Sequence, residues 1–237
     1  RLGVDTVDAF LLLYVAPGED IGDVDRLLDH LHEQREAGAL RYVGASAHDR
    51  KQAERLARDP RVDVLMHRYN MAHRGAEKAV FPAALESDTP VIAFTCTRWG
   101  TLLAGHEEWE GPAPSAPDCY RFALAHPAVE LALTAPHSVG ELQQNLAVLD
   151  APAPTPDEMA AWRAYGDGFP TAGGRLARLR EGVEILRQAF TTGEATLDGE
   201  HYQVSVAIVR PLPLQPGWIP IWVAGGGERV TRRIAAE

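Results

Sequence analysis

The chain has 237 residues, 46% of them hydrophobic, and carries 33 acidic against 23 basic side chains for a formal charge of −10. That apolar content supplies a packed core and excludes intrinsic disorder, and no short repeat marks a fibrous chain. The longest uncharged apolar run, Ala9 to Pro17, is too short to span a bilayer, and the acidic balance argues against nucleic acid or an anionic membrane surface as a partner.

No basic leader with a cleavage site opens the sequence, and the two cysteines, Cys96 and Cys119, suit neither a disulfide scaffold nor a zinc site, so the expected compartment is the reducing cytoplasm. Residue 1 is Arg and the methionines are Met66, Met71 and Met159, which leads us to expect a start inside a longer reading frame. Residues 1–169 hold 26 acids and 15 bases, a net of −11, whereas residues 170–237 hold 7 acids and 8 bases, a net of +1. The join is rich in Gly and Pro from Gly166 to Gly174, preceded by Asp150-Ala-Pro-Ala-Pro-Thr-Pro, and composition and linker together predict domains at 1–169 and 170–237.

In chain order, Val7–Ala16, Leu40–Ala45, Val62–Met66, Pro90–Thr95 and Val129–Ala135 are short apolar runs of the kind that form buried strands. Between and after them lie helical patterns at Ile21–Ala37, Arg50–Arg58, Gly75–Glu86, Asp118–Ala125 and Val139–Leu149. Ile21, Val24, Leu28 and Leu31 form the apolar face of the first, and Val139, Leu142, Leu146 and Leu149 a buried stripe on the last. Alternation of buried strands and helices predicts an α/β fold with a parallel sheet, either a (β/α) barrel or an open doubly wound sheet. In both, chemistry sits at the carboxyl ends of the strands, here Tyr14-Val-Ala-Pro-Gly, Gly44-Ala-Ser-Ala-His, Met66-His-Arg-Tyr-Asn, Phe94-Thr-Cys-Thr-Arg and Thr134-Ala-Pro-His-Ser. Their hydroxyl, imidazole and aromatic groups suit a flat ring and an amide or phosphate.

Read together, Leu2-Gly-Val-Asp-Thr-Val-Asp-Ala-Phe, Gly38-Ala-Leu-Arg-Tyr-Val-Gly-Ala-Ser-Ala-His, Arg68-Tyr-Asn-Met-Ala-His-Arg-Gly-Ala-Glu, Val91-Ile-Ala-Phe-Thr and Leu142-Gln-Gln-Asn-Leu resemble the second half of an aldo/keto reductase, over about residues 1–168. The resemblance implies a partial barrel of about five β/α units and a nicotinamide cofactor, NADP or NAD, lying across the strand ends. By position, Ser46 resembles the hydroxyl that meets the carboxamide and Phe94 the aromatic that stacks on the nicotinamide ring. Thr95 begins the loop along the pyrophosphate, and His137, Ser138, Gln144 and Asn145 resemble the adenosine end. The family's catalytic Asp, Tyr and Lys belong to segments before Arg1, and Leu13 and Tyr14 stand where its catalytic His is expected. Ala47 and Met66 replace a common Asn and Gln, and Glu141 places a carboxylate where the adenosine phosphate is held, which would repel it.

Beyond the join, Leu176, Leu179, Val183, Leu186 and Phe190 predict a helix over Arg175–Thr191, and Asp198-Gly between two β-prone runs predicts a hairpin. A Pro-rich connector then leads to an apolar strand, Ile219–Ala224, and to Gly225, Gly226 and Gly227, which suit either a phosphate cradle or a tight turn. The order of these pieces, closing on Pro220-Ile-Trp-Val-Ala-Gly-Gly-Gly, resembles the luciferase-like flavin or deazaflavin oxidoreductases over about residues 175–237. That family is also barrel-shaped, and the resemblance places an FMN or deazaflavin phosphate at Gly225, Gly226 and Gly227.

The pairs His30/His32 and His67/His73 lack metal-site spacing, and Ser46 lacks the closing glycine of a nucleophile elbow. Glu107-Glu-Trp-Glu is expected to be a solvated loop, with Trp99 to Leu103 packed beneath it. The leading expectation is an oxidoreductase fragment moving hydride between a nicotinamide and a small carbonyl or alcohol, inactive as this isolated chain. A flavin- or deazaflavin-dependent monooxygenase or dehydrogenase and a non-catalytic cofactor-binding module are the alternatives. Five strands cannot close an eight-fold barrel, so self-association through unpaired sheet edges is also expected.

Overall fold

Five parallel strands carry the first part of the chain: β1 (Val7–Leu12), β2 (Leu40–Ala47), β3 (Val64–Arg68), β4 (Val91–Phe94) and β5 (Val129–Ala132). They are hydrogen-bonded in chain order, and each crossover carries a helix: α1 (Ile21–Glu36), α2 (Arg50–Ala57), α3 (Val80–Glu86) and α4 (Ala116–Leu124). A doubly wound sheet reverses its strand order at a switch point, whereas unbroken sequential order is barrel winding. The computed structural model describes residues 3–16, 20–170, 172–215 and 219–221, and the chain divides into two compact units, Arg1–Phe169 and Pro170–Glu237.

Register assigns the faces of the sheet. Ala45, Leu65, Val91 and Val129 form one row, buried in the core, and Ser46, Met66, Ile92 and Leu131 form the next row on the opposite face. Gly44 is glycine because a Cβ there would lie 2.7 Å from Leu11 Cγ and 2.8 Å from Val64 Cγ1, its neighbours on β1 and β3. On α1, Val24, Leu28 and Leu31 are buried as the spacing predicts, while Ile21 is exposed at the helix's first residue. The core extends through Tyr69, Phe81, Phe122 and Leu102, where burial of each large side chain contributes about 1.5–3 kcal/mol.

Three expectations are corrected here. First, no helix is read from sequence between Leu149 and Arg175, where after α5 (Val139–Leu146) the chain forms α6 (Pro156–Asp167), opened by a reciprocal cap in which Thr155 N–H donates to Glu158 Oε2 at 2.7 Å and Glu158 N–H to Thr155 Oγ1 at 3.2 Å. Thr155-Pro-Asp-Glu is the local signal for it. This helix packs within the first unit, with Tyr165 fully buried and its hydroxyl donating to the Leu102 carbonyl at 2.5 Å. Second, the stripe on α5 is not buried: Val139 and Leu149 are 72% and 76% exposed, because α5 follows the edge strand β5 and no described element covers its apolar side. An apolar groove of about 270 Å3 instead runs between α4, β5 and α5, lined by Tyr120, Leu131, Leu146 and Val148 among others. Third, Trp99 is 73% exposed, and Leu102 is the residue of its loop that enters the core.

In the second unit, α7 (Ala172–Thr192) precedes an antiparallel hairpin of β6 (Glu194–Asp198) and β7 (Gln203–Ile208). Its turn is closed by Gly199 N–H donating to the Tyr202 carbonyl at 2.9 Å. The Glu181 carboxylate accepts the backbone N–H groups of Glu200, His201 and Tyr202 at 3.0, 2.9 and 2.9 Å, tying the turn to α7. Val183 and Ala189 are buried, but Leu179 and Leu186 of the expected stripe are largely exposed. Residues 219–221 are not in a strand, and the rest of the expected strand over Ile219–Ala224 lies outside the described residues.

Candidate functional site

The carboxyl ends of β1, β2 and β4 bring together Tyr14, Ser46, His48, Phe94 and Thr95. Ser46 is buried at the end of β2, and it holds the chain leaving β1 twice: its Oγ accepts from Tyr14 N–H at 2.7 Å, and its carbonyl accepts from Val15 N–H at 2.7 Å. Tyr14 is thereby kept at φ 57°, a left-handed conformation that a bulky residue seldom adopts. Its ring meets the His48 imidazole edge-on, with centroids 4.9 Å apart, and that imidazole lies 5.0 Å from the Phe94 ring. The next residue, Asp49, caps α2, its Oδ1 accepting from Lys51 and Gln52 N–H, both at 3.0 Å.

Strain and uncommitted polar atoms concentrate at this end of the sheet. Of the non-glycine residues described with positive φ, Tyr14 follows β1, and Thr95, Arg98 and Trp99 follow β4; Asp88 alone lies elsewhere. Left-handed backbone at a β-branched threonine costs about 1–3 kcal/mol and collects where ligands are bound. Thr95 Oγ1 is also buried with no hydrogen-bond partner among the described residues. Its carbonyl accepts from the side-chain amide of the fully buried Asn70 at 2.8 Å, and Asn70 Oδ1 accepts from Ala72 N–H at 3.0 Å. Burial, reinforced by the Arg68 charge, holds the His48 pKa below the ordinary imidazole range. On the helix side of β3, burial lowers His67 to about 4, and its Nδ1 donates to the Ala47 carbonyl at 2.7 Å. Cys96 and Cys119 are buried free thiols, each pushed up to about 12 by burial, and are chemically quiet.

The other half of the expected site differs. Ser138 caps α5, its Oγ accepting from Glu141 N–H at 3.1 Å, while Glu141 Oε2 accepts from His137 N–H at 2.7 Å. Asn145 donates to Thr134 Oγ1 at 2.7 Å, and the Tyr120 hydroxyl donates to the same atom at 2.8 Å. His137, Ser138 and Gln144 are exposed. The Glu141 carboxylate, held beside this helix N-terminus by the His137 amide, places a negative charge where an anion would otherwise be received. Gly225, Gly226 and Gly227 lie outside the described residues. Tyr14, His48 and Asn70 fall in the strand ends read from sequence, Tyr14 where the resemblance expects a catalytic His, but none was named as a site residue; for His48 the available signal was an imidazole between a buried strand and an N-cap aspartate.

Comparison with known proteins bears on both units. Residues 1–117 match the aldo/keto reductase family, and residues 157–237 match the luciferase-like monooxygenase family. The chain joins a segment similar to the aldo/keto reductases to a segment similar to the luciferase-like monooxygenases. Over 72% of its length the chain has the fold of aldo-keto reductase AKR11C1 from Bacillus halodurans (TM-score 0.58, 20% identity, 65% of that chain covered). It also resembles an aldo-keto reductase from Klebsiella pneumoniae in complex with NADPH (TM-score 0.56, 22% identity, 70% and 61% covered). The luciferase-like segment is 42% identical over 69 residues to the F420-dependent glucose-6-phosphate dehydrogenase of Kineococcus radiotolerans, covering 29% of this chain and 20% of that protein. It is 40% identical over 76 residues to the same enzyme of Gordonia bronchialis, covering 30% and 22%. The chain thus spans about a fifth of the length of these curated relatives. The luciferase-like match begins inside α6, a helix that packs in the first unit. Among the described residues no helix is long and apolar enough to cross a membrane.

Proposed function

We propose that the first unit is a nicotinamide-binding oxidoreductase module acting on a small carbonyl or alcohol at the carboxyl ends of β1, β2 and β4. The observation that carries this reading is the contact series Ser46–Tyr14–His48–Phe94, with the strained, uncommitted Thr95 beside it. A reduced nicotinamide bound there would supply hydride to a carbonyl carbon. Phe94 provides the stacking surface, Ser46 has its hydroxyl proton available for a carboxamide oxygen because its lone pair already accepts from Tyr14, and Thr95 Oγ1 gains the partner it lacks.

The capped terminus of α5 favours the non-phosphorylated cofactor, since Glu141 would face an adenosine phosphate. Among these residues the family's acid–base set has no counterpart, so this reading is of cofactor binding with little turnover by the isolated chain in the cytoplasm. The outer edges of β1 and β5, unpaired among the described residues, would favour self-association, checked by gel filtration across a concentration series. Titration with NADH and with NADPH, read by quenching of intrinsic fluorescence, tests the proposal. Saturable binding that is tighter for NADH and lost in Phe94→Ala is expected; no saturable change refutes it, and equal affinities refute the cofactor preference.

The relatives of the second unit favour a deazaflavin or FMN site there, with Gly225, Gly226 and Gly227 toward its phosphate. Retention of F420 or FMN on purification, abolished by Gly226→Val, is the expected result; absence of either cofactor after reconstitution overturns it.

A further inference from the structure

We infer that His48 and Tyr14 form the polar wall of the site in the first unit and hydrogen-bond the reacting oxygen of a carbonyl or alcohol lying beside the nicotinamide that stacks on Phe94. The inference rests on the proposed nicotinamide reading and adds the substrate-binding groups to it. Its first support is placement. The His48 imidazole is wedged between the Tyr14 and Phe94 rings, at 4.9 and 5.0 Å, and its backbone runs from the last residue of β2 directly into the N-cap Asp49. Tyr14 is held from the other side by the Ser46 hydroxyl.

The second support is hydrogen bonding. In the first unit every other described histidine that is not exposed uses a ring nitrogen: His32 with Arg35, His67 with the Ala47 carbonyl, His73 with Asn70, His106 with the Tyr165 carbonyl, His126 with Ala128 N–H. His48 makes no hydrogen bond to any described residue, and neither does the hydroxyl of Tyr14, which is 50% exposed, whereas the buried Tyr69, Tyr120 and Tyr165 each donate to a partner. Both side chains are reached by solvent and keep their hydrogen-bonding groups open to a ligand. A neutral imidazole offers one N–H to a carbonyl oxygen and one lone pair to an alcohol proton, so the same ring serves either substrate. The shape of the wall, two rings beside a stacking phenylalanine, suits a compact or aromatic carbonyl and not a long polar chain.

The test uses the full chain with NAD+, which cannot turn over an aldehyde by reduction, and benzaldehyde as the carbonyl probe. The Kd for NAD+ is measured first by fluorescence, then the Kd for benzaldehyde in its presence. His48→Phe keeps an aromatic side chain in the packing position, Tyr14→Phe removes only the hydroxyl, and His48→Gln restores a donor. With each variant held at its own saturating NAD+ concentration, we expect benzaldehyde binding about tenfold weaker in His48→Phe, weaker in Tyr14→Phe and partly recovered in His48→Gln, each step matching one hydrogen bond. The His48 imidazole 15N resonance, assigned by its loss in His48→Gln, is expected to move on adding benzaldehyde. Unchanged benzaldehyde affinity in His48→Phe and Tyr14→Phe, with NAD+ binding intact, overturns this inference alone. Absence of NAD+ binding to wild type overturns the nicotinamide reading and this inference with it.

Discussion

The Ser46 hydroxyl accepts the Tyr14 backbone N–H at 2.7 Å, joining the end of β2 to the chain that leaves β1 in a left-handed conformation. Ser46 is therefore a positioning residue for Tyr14 as well as a candidate contact for the cofactor. Ser46→Ala leaves that amide without its acceptor and is expected to cost about 1–3 kcal/mol. Urea unfolding should show a lower midpoint at unchanged slope, and an unaltered midpoint would contradict the role assigned to the bond.

His67 makes stability depend on pH in a defined window. The unfolded chain takes up a proton near 6.5, and the folded chain resists it until about 4 because the ring is buried. Its folded pKa being depressed, the contribution is full above about 6.5 and is lost as pH falls from there to about 4. The slope approaches about 1.4 kcal/mol per pH unit, roughly 3 kcal/mol in all. Comparing wild type with His67→Gln by denaturant titration between pH 7.5 and 4 should show the two curves converging as pH falls, since other buried histidines contribute equally to both.

Gly166 lets α6 approach the chain after β3. A Cβ there would sit 2.0 Å from the Met71 carbonyl oxygen, a backbone atom that cannot swing aside. Gly166→Ala is expected to cost about 2–3 kcal/mol despite the better helix propensity of alanine. A thermal-unfolding midpoint equal to or above that of wild type would show that α6 does not dock as described.

Glu181 is the anchor of the second unit's hairpin turn. Burial tends to raise its pKa, but the three amides it accepts hold it below the ordinary carboxylate range. Its contribution is thus present above the ordinary carboxylate pKa and lost as pH drops below it. In Glu181→Ala the amides of Glu200, His201 and Tyr202 should exchange with solvent about tenfold faster by hydrogen–deuterium exchange. Unchanged protection would remove the clamp from the account of this unit.

Much of the architecture was legible because it rests on local regularities. The buried strands read as short apolar runs, α1 as Val24, Leu28 and Leu31 at helical spacing, and the hairpin as Asp198-Gly between β-prone segments. The α5 stripe misled because periodicity records which face is apolar and not whether anything covers it. The helix α6 was missed because its prolines and glycines outweighed the cap at Thr155 and Glu158. Of the expected site residues, Ser46, Phe94 and Thr95 lie at strand ends that sequence can mark, but their company could not be foreseen.

By itself the sequence determined the alternation of strands and helices, the two-part composition and the family that each part resembles, since these are properties of consecutive residues. Only the tertiary structure decided that Tyr14, His48 and Phe94, drawn from three strand ends as many as 80 residues apart, touch in one series. It alone showed that Glu141 is folded into the cap of α5. Contacts across a sheet depend on strand order and register, and the direction of a carboxylate depends on which amides lie open beside it; neither is written in the spacing of residues along a chain.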